Sequence, residues 1–220
     1  LKGTFYVDPD TPRARGDVTY GLSELQLKKL ATTHEVCSHT WSHKNLRGCN
    51  VSTLQRELTD SKEFIETITG YPVLGVAYPW GDHSSRAQGV VKECGYLFAR
   101  TIDEGHIDFP PSNPYAWGIS VQALARPRLL SKKVHVYLRN FAWDWRKLAL
   151  KLFKKAQRTN GVWHLFGHAS EVLEQPALKD QFLDVCRCIS RRNDVWYTTN
   201  GMLFINEMVK NHTYITEHHH

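Results

Sequence analysis

Two histidines, His39 and His43, stand four positions apart and have the side chain most often used to bind transition metals. Imidazole nitrogens are natural ligands for zinc and for its neighbours in the transition series. On a helical turn, residues four apart face the same side, so both rings can point at one ion. Such pairs also occur by chance on surface helices. This pair follows a short apolar strand predicted over residues 35–38, and α/β folds place their sites at strand ends. The position therefore favours a divalent-metal site.

A second candidate is the turn Tyr78-Pro79-Trp80-Gly81, which ends the apolar run 73–78. A proline and a glycine flanking an aromatic residue make a stiff turn. The turn can be purely structural. It can also present the backbone N–H of Trp80 to a developing oxyanion, with the indole as a pocket wall.

The third candidate group lies late in the chain. His164 and His168 belong to one predicted strand end, and Asp144 precedes them at the start of a predicted helix. We assign the catalytic role to His168, at the carboxyl end, and a structural role to His164. A carboxylate bonded to a catalytic imidazole raises its pKa and orients it, and Asp144 is a candidate for this role. The alternative is that Asp144 only caps its helix.

These residues are positioned by alternating strands and helices, a pattern that implies parallel strands with helices outside. The sequence therefore predicts an α/β fold, and we expect a single domain over residues 1–216. Strands are predicted at 2–7, 35–38, 73–78, 95–100, 161–166 and 195–199, and helices at 23–31, 51–70, 84–94, 145–158, 176–191 and 202–210.

Composition excludes some functions. The net charge of +6 comes from mixed, dispersed charges rather than one basic run, so a solvated surface is favoured over nucleic-acid binding. No apolar run approaches the roughly 20 residues that span a bilayer. Residues 217–220 are interpreted as the remnant of an expression tag. The sequence does not indicate an oligomeric state.

Taken together, the segments resemble the polysaccharide deacetylase family, also called the NodB homology domain or carbohydrate esterase family 4. His39-Thr40-Trp41-Ser42-His43 is similar to its H-[ST]-x-x-H metal motif. Ala77-Tyr78-Pro79-Trp80-Gly81 resembles its third motif, Asp144-Trp145 its fourth, and His168 its fifth. Gly3-Thr4-Phe5-Tyr6-Val7 is similar to the strand that follows the first motif. The resemblance covers nearly the whole chain.

The resemblance implies a distorted (β/α) barrel and a metal-dependent hydrolase that removes N-acetyl groups from a GlcNAc-containing polysaccharide or oligosaccharide, such as chitin or peptidoglycan. It implies zinc, with cobalt, nickel or manganese as alternatives, bound by His39, His43 and a carboxylate. His168, supported by Asp144, would protonate the leaving amine. Tyr78, Pro79, Trp80, Gly81 and Trp145 would contact the substrate or the oxyanion. The family also favours a secreted or cell-envelope location, although the compartment stays open.

Two departures from the family concern its catalytic carboxylates. The first motif carries adjacent aspartates, one a metal ligand and one a general base. They are expected upstream of Gly3, so the N-terminal strand and first motif are missing from this sequence. Asp8 and Asp10 follow the first predicted strand and could reach the groove, but they match no family position. Ala77 stands where the third motif often has an arginine that orients the base.

Two other functions stay open. One is a non-catalytic carbohydrate-binding module that kept the groove and its aromatic residues. The other is an amidase of the same fold that acts on a small cyclic or linear amide.

Overall fold

The computed structural model describes residues 1–10, 21–123 and 144–217, with the backbone alone described over 211–217. The chain divides into two compact units. Unit 1 comprises Leu1–Ile102, Pro110–Trp117 and Trp196–His220, and unit 2 comprises Asp103–Phe109 and Gly118–Val195. The single domain over 1–216 stays a prediction. The predicted tag at 217–220 lies outside the described residues apart from the backbone of Glu217.

Unit 1 is built on a four-stranded parallel sheet with the order β1-β2-β3-β4. Unit 2 contains a parallel pair, β5 and β6. The strands are β1 (Thr4–Val7), β2 (Glu35–Ser38), β3 (Gly75–Ala77), β4 (Phe98–Arg100), β5 (Val121–Gln122) and β6 (Leu165–Phe166). Parallel strands alternating with helices confirm the predicted α/β fold class.

The described helices are α1 (Glu24–Ala31), α2 (Val51–Thr69), α3 (Ser85–Glu93), α4 (Trp145–Thr159), α5 (Ala169–Glu174), α6 (Pro176–Ile189) and α7 (Asn200–Glu217). No described helix is both long enough and apolar enough to cross a membrane. The strand predicted at 195–199 is wrong, because these residues form an extended lead into α7 without strand pairing in the described structure.

Local capping explains where the helices of unit 1 begin and end. Ser23 caps α1 in a capping box with Gln26, as its position predicts. Asn50 caps α2 by accepting the backbone N–H of Thr53 at 2.9 Å. Gly70 ends α2 in the left-handed region, at φ 74°, where a side chain would be strained.

The core of unit 1 lies between the sheet and its helices. Leu54, Leu58 and Ile65 recur along one face of α2 and pack with Val36 and Val76 of the sheet. All five side chains are buried. Each large aliphatic side chain contributes roughly 1.5–3 kcal/mol through burial, so this face of α2 anchors the helix against β2 and β3.

The opposite face of the sheet receives the start of α7. Glu35 of β2 accepts the hydroxyl of Thr4 at 2.6 Å and the backbone N–H of Gly201 at 2.9 Å. The side-chain amide of Asn200 donates to the Tyr6 hydroxyl at 2.8 Å. The carboxylate of Glu35 therefore joins the amino ends of β1 and β2 to the first turn of α7.

Unit 2 has its own core, in which α4 and α6 pack on the β5–β6 pair. Its buried members include Val121, Trp145, Phe153, Leu178 and Val185. Asp144 caps α4, and Asn160 ends that helix in the left-handed region.

Glu35 makes stability depend on pH. Burial raises its pKa above the ordinary 4.5, so the folded state holds this proton more tightly than the unfolded state does. The unfolding free energy should therefore fall as the pH rises from about 4.5 through the folded pKa. We expect the Glu35→Gln variant to lose this slope in urea unfolding between about pH 4 and pH 7. Glu93→Gln, at an exposed position of α3, should keep the slope of the wild type. If the plots of unfolding free energy against pH are parallel for wild type and Glu35→Gln, the assignment is refuted.

Candidate functional site

His39 follows β2 directly, where the hydrogen bonds of the sheet fix its backbone. Its N–H donates to the Val7 carbonyl at 2.7 Å. Its ring Nδ1 lies 2.7 Å from the carbonyl oxygen of Ala77, the last residue of β3. Because a carbonyl can only accept, Nδ1 must carry the proton, and in the neutral ring Nε2 is then the nitrogen that can act as a metal ligand. Metal-binding histidines have this arrangement, in which the second nitrogen is held by a carbonyl or carboxylate.

His43 lies beside His39. The two ring centroids are 4.7 Å apart and the planes meet at 77°. The segment between them is not the helical turn expected from the spacing. Thr40 and His43 have φ values of 68° and 54°, so the chain turns back on itself and brings the rings together. The structure therefore pairs the two histidines through a strained loop.

Hydrogen bonds to the core stabilise this loop. The buried hydroxyl of Ser38 accepts the Thr40 N–H at 3.0 Å and lies 2.8 Å from the Ser61 hydroxyl. The Thr40 hydroxyl accepts the Lys44 N–H at 3.2 Å. These bonds offset the cost of left-handed backbone at residues other than glycine, which is about 1–3 kcal/mol each.

Glu57 of α2 is the strongest anchor of the loop. Its buried carboxylate accepts the Ser42 N–H at 2.9 Å through Oε2 and the Ser42 hydroxyl at 2.7 Å through Oε1. Ser42 is the residue before His43, so this two-point contact sets the direction from which His43 enters the site. Glu57 belongs to none of the motifs identified in the sequence. The sequence feature that could have identified this residue is a carboxylate on the buried face of α2, beside Leu54, Leu58 and Ser61.

The Tyr78-Pro79-Trp80-Gly81 turn lies against the histidines. Trp80 has φ 59°, is 53% exposed, and its ring centroid is 4.6 Å from that of His43. Pro79 is buried. Gly81 has φ 74°, and a Cβ there would meet Ile102 at 2.6 Å. The turn thus holds the indole beside His43 and has no room for a side chain at Gly81.

Tyr78 is buried behind the turn. Its hydroxyl donates to the Tyr115 carbonyl at 3.0 Å, and burial raises its pKa well above the ordinary value. This position makes Tyr78 a support for the turn, and its predicted contact with substrate stays a prediction.

Two imidazoles form only part of a metal site. Among the side chains that the structure describes, in residues 1–10, 21–123 and 144–210, no three of His, Cys, Asp or Glu are grouped so that they could bind one ion. The imidazole nitrogens of His39 and His43 fit zinc or a similar ion. The described residues do not supply the carboxylate that the resemblance implies.

The remaining predicted residues belong to unit 2. The Asp144 carboxylate pairs with the Arg146 guanidinium at 2.8 Å and accepts its backbone N–H at 3.1 Å. The hydrogen bond with Arg146 lowers the Asp144 pKa. Asp144 therefore caps α4, the structural role that the sequence left open beside the catalytic one. Trp145 is buried, and its indole N–H donates to Gln181 at 2.8 Å. The catalytic role of Asp144 and the substrate contact of Trp145 stay predictions.

His164 and His168 flank β6. The His164 backbone N–H donates to the Ser120 hydroxyl at 2.9 Å, so this residue is tied to the start of the β5–β6 pair. His168 precedes α5, and its Nδ1 lies 3.3 Å from the Glu171 carboxylate. In the described structure, the carboxylate that pairs with the His168 ring is therefore that of Glu171. Its role as the acid stays a prediction.

Comparison with known proteins supports the resemblance in the first part of the chain. Residues 1–99 match the family model described as polysaccharide deacetylase. This segment includes His39, His43 and the Trp80 turn. No curated protein matches the chain significantly.

Solved structures with a similar fold include a protein from Mycobacterium smegmatis named as a polysaccharide deacetylase. It has a TM-score of 0.69 and 17% identity over 96% of this chain and 73% of that chain. A carbohydrate esterase 4 family pseudoenzyme from Bacillus anthracis has a TM-score of 0.51 and 13% identity over 93% of this chain and 56% of its own. At these identities the likeness shows the fold, which is that of the NodB type.

A polysaccharide deacetylase from Bacillus cereus is 30% identical, with a TM-score of 0.40, over 47% of this chain and 31% of that chain. The chain spans less than half the length of the first solved structures that it matches.

Removing the Glu57 carboxylate should loosen the histidine loop. Glu57→Ala leaves the Ser42 N–H and hydroxyl without their acceptor, and hydrogen bonds to charged groups are worth about 1.5–3 kcal/mol. We expect the unfolding free energy to fall by at least about 1.5 kcal/mol in urea titration. Ser42→Ala, which keeps the backbone contact, should cost less.

Glu63→Ala, at an exposed position farther along the same helix, provides the control for helix composition. Equal losses for Glu57→Ala and Glu63→Ala would contradict the anchoring role of Glu57.

Proposed function

We propose that this protein is a metal-dependent hydrolase that removes N-acetyl groups from a GlcNAc-containing polysaccharide or oligosaccharide. The observation that carries the proposal is the paired imidazoles of His39 and His43, with His39 Nδ1 bound to the Ala77 carbonyl. This pair lies in the segment that matches the polysaccharide deacetylase family. Chitin and peptidoglycan are candidate substrates because the family acts on such polymers.

His39 Nε2 and a ring nitrogen of His43 would hold the ion, and their chemistry suits zinc, with cobalt, nickel or manganese as alternatives. A bound ion of this kind supplies Lewis acidity toward the amide carbonyl and lowers the pKa of a water ligand. The Ala77 carbonyl would keep the His39 ring in the orientation that metal binding needs. Glu57 would fix the loop before His43 through its two contacts with Ser42.

Trp80 would contact the substrate. Its half-exposed indole next to His43 offers an apolar wall on which a sugar ring can lie. Its backbone N–H, in a turn stiffened by Pro79 and Gly81, is the proposed donor to the oxyanion of the tetrahedral intermediate.

His168 is the proposed general acid. In its protonated form it would give a proton to the leaving amine nitrogen as the C–N bond breaks. The Glu171 carboxylate at 3.3 Å can orient the ring. Asp144 is engaged with Arg146, so its proposed support of His168 would require that contact to open.

A second candidate is a non-catalytic carbohydrate-binding module of the same fold. The lack of a third metal-binding side chain near the histidines, within the described residues, favours this candidate. It predicts oligosaccharide binding without acetate release.

The metal proposal is tested with protein that ends at Glu217, because the terminal histidines also bind zinc. Loss of a residue that only hydrogen-bonds to a metal ligand typically weakens metal binding about 10–100-fold. We expect the His39→Ala/His43→Ala double variant, which removes the ligands themselves, to lose more zinc affinity than this in calorimetry. His106→Ala, at an exposed position, is the control. Unchanged zinc affinity in the double variant would refute the site.

The catalytic proposal is tested by acetate release from chitooligosaccharides with the zinc-loaded full-length protein, including any encoded residues upstream of Leu1, where the first-motif aspartates are expected. His168→Ala should lower kcat by about 10²–10⁴-fold, the usual contribution of a general acid, with little change in KM. Full activity in His168→Ala would exclude this role. Binding of the oligosaccharide without any release by wild type would favour the binding module, and release only from small acetylated amides would favour an amidase.

A further inference from the structure

Asp82 lies directly after the Trp80 turn and contacts the segment that follows His43. Its Oδ2 accepts the side-chain amide N–H of Asn45 at 2.8 Å. Its Oδ1 lies 3.8 Å from the guanidinium of Arg47. None of these three polar residues belongs to a motif identified in the sequence, and the proposed reaction gives them no role.

The Asn45 side of this contact is fixed to the core of unit 1. Leu46, the next residue, is fully buried in the cluster that also holds the apolar face of α2. The Oδ1 atom of Asn45 accepts the backbone N–H of Arg47 at 3.0 Å. This bond orients the carboxamide, and its Nδ2 is then the atom that donates to Asp82.

The Asp82 side is fixed by the turn and by α3. The Asp82 backbone N–H donates to the Pro79 carbonyl at 3.2 Å, across the turn whose middle residue is Trp80. Ser84, two residues after Asp82, caps α3. Because Asp82 and Trp80 belong to one short hydrogen-bonded turn, a contact that holds Asp82 also restrains the backbone of Trp80.

The two segments meet at two points with equal spacing. The rings of His43 and Trp80 lie 4.6 Å apart between centroids, and Asn45 and Asp82 meet two residues farther along each segment. Trp80 and His43 both have left-handed backbone, which is unfavourable at residues other than glycine and persists only where the surroundings hold it. The polar contact at Asn45 and Asp82 thus keeps together the same two segments whose rings meet at the site.

The hydrogen bond from Asn45 should contribute more to this contact than the ion pair with Arg47. A donor–acceptor distance of 2.8 Å is that of a well-formed hydrogen bond to a charged acceptor. The ion pair spans 3.8 Å between side chains that are 69% and 45% exposed, and exposed pairs at such distances contribute little.

We propose that Asp82 is a positioning residue, which holds the Trp80 indole beside His43 through its hydrogen bond with Asn45 and so fixes the wall that a sugar ring would contact. The contact between the two segments follows from the structure alone, and its consequence for the substrate rests on the proposed function. Losing one hydrogen bond can displace the turn only by the free energy of that bond. We therefore expect a loss of oligosaccharide affinity of about 2–10-fold rather than a loss of binding.

The first measurement follows the imidazole protons of His43 by NMR in metal-free protein without the terminal histidines. The ring current of the Trp80 indole displaces these resonances, and Trp80→Leu gives their positions without the indole. Asp82→Ala and Asn45→Ala should each move the His43 resonances toward the Trp80→Leu positions. The double variant of Asp82 and Asn45 should move them no farther, because both changes break the same bond.

Three variants separate the hydrogen bond from other effects. Asp82→Asn keeps an oxygen that can accept from Asn45 and should keep the wild-type His43 resonances. Arg47→Met removes only the ion pair and should keep them as well. Asp60→Ala, at an exposed position of α2, is the control for loss of an acidic side chain. A role of Asp82 in stability alone would lower the Tm without moving the His43 resonances of the folded protein.

The second measurement is the affinity of the zinc-loaded full-length protein for chitooligosaccharides. Asp82→Ala should bind them about 2–10-fold more weakly than wild type, and Asp82→Asn should restore the affinity. If wild type binds no oligosaccharide, the proposed function fails. The His43 resonances would still decide whether Asp82 positions the indole, because they require neither metal nor substrate.

The proposal is overturned if Asp82→Ala keeps the wild-type His43 resonances, or if it loses the displacement while its oligosaccharide affinity equals that of wild type. Equal effects of Asp82→Ala and Arg47→Met would assign the contact to the ion pair and overturn the role of Asn45. If Asp82→Ala does not fold, Asn45→Ala, at an exposed position, breaks the same bond from the other segment and decides the question by the same two measurements.

Discussion

The candidate site depends on the parallel pairing of β2 with β3, which ends both strands at the same level. Ser38 pairs with Val76, so the next residues along, His39 and Ala77, become neighbours. The hydrogen bond from His39 Nδ1 to the Ala77 carbonyl is a direct consequence of this register. A shift of one residue would turn the His39 side chain to the face of the sheet that α2 covers. The orientation of the imidazole is thus set by sheet geometry rather than by the loop that follows.

The loop after β2 is strained, and its strain is offset by contacts with α2. Thr40 and His43, together with Trp80 in the neighbouring turn, have left-handed backbone without being glycine. Such residues concentrate at functional sites because the surrounding structure must hold them. Here Glu57 and Ser61 of α2 provide that support through Ser42 and Ser38. The apolar face of α2, with Leu54, Leu58 and Ile65, in turn fixes the helix on the sheet.

Much of the site in unit 1 can be predicted from the sequence because strand ends are marked by composition. The apolar run before His39 and the proline and glycine around Trp80 both indicate where a parallel strand stops. The helical turn expected for His39 and His43 is wrong, because spacing alone cannot separate a helix from a loop with two left-handed residues.

Other features depend on contacts distant in sequence. Glu57 and Arg100 lie among apolar residues in α2 and β4, and a charge in such a position is a detectable signal of a buried partner. Which partner it meets depends on tertiary packing, as with Glu57 and Ser42, fifteen positions apart. The predicted strand at 195–199 fails for a similar reason. Its residues lead into α7, whose first turn is bound by Thr4, Tyr6 and Glu35 from the other end of the chain.

The most direct test of the metal site is the ¹⁵N spectrum of the histidine side chains in metal-free protein that ends at Glu217, followed through a zinc titration. The account predicts that His39 is the tautomer protonated at Nδ1, because the Ala77 carbonyl accepts that proton, and that zinc shifts His39 Nε2 together with one nitrogen of His43. A His39 ring protonated at Nε2, or zinc shifts confined to other histidines, would contradict it.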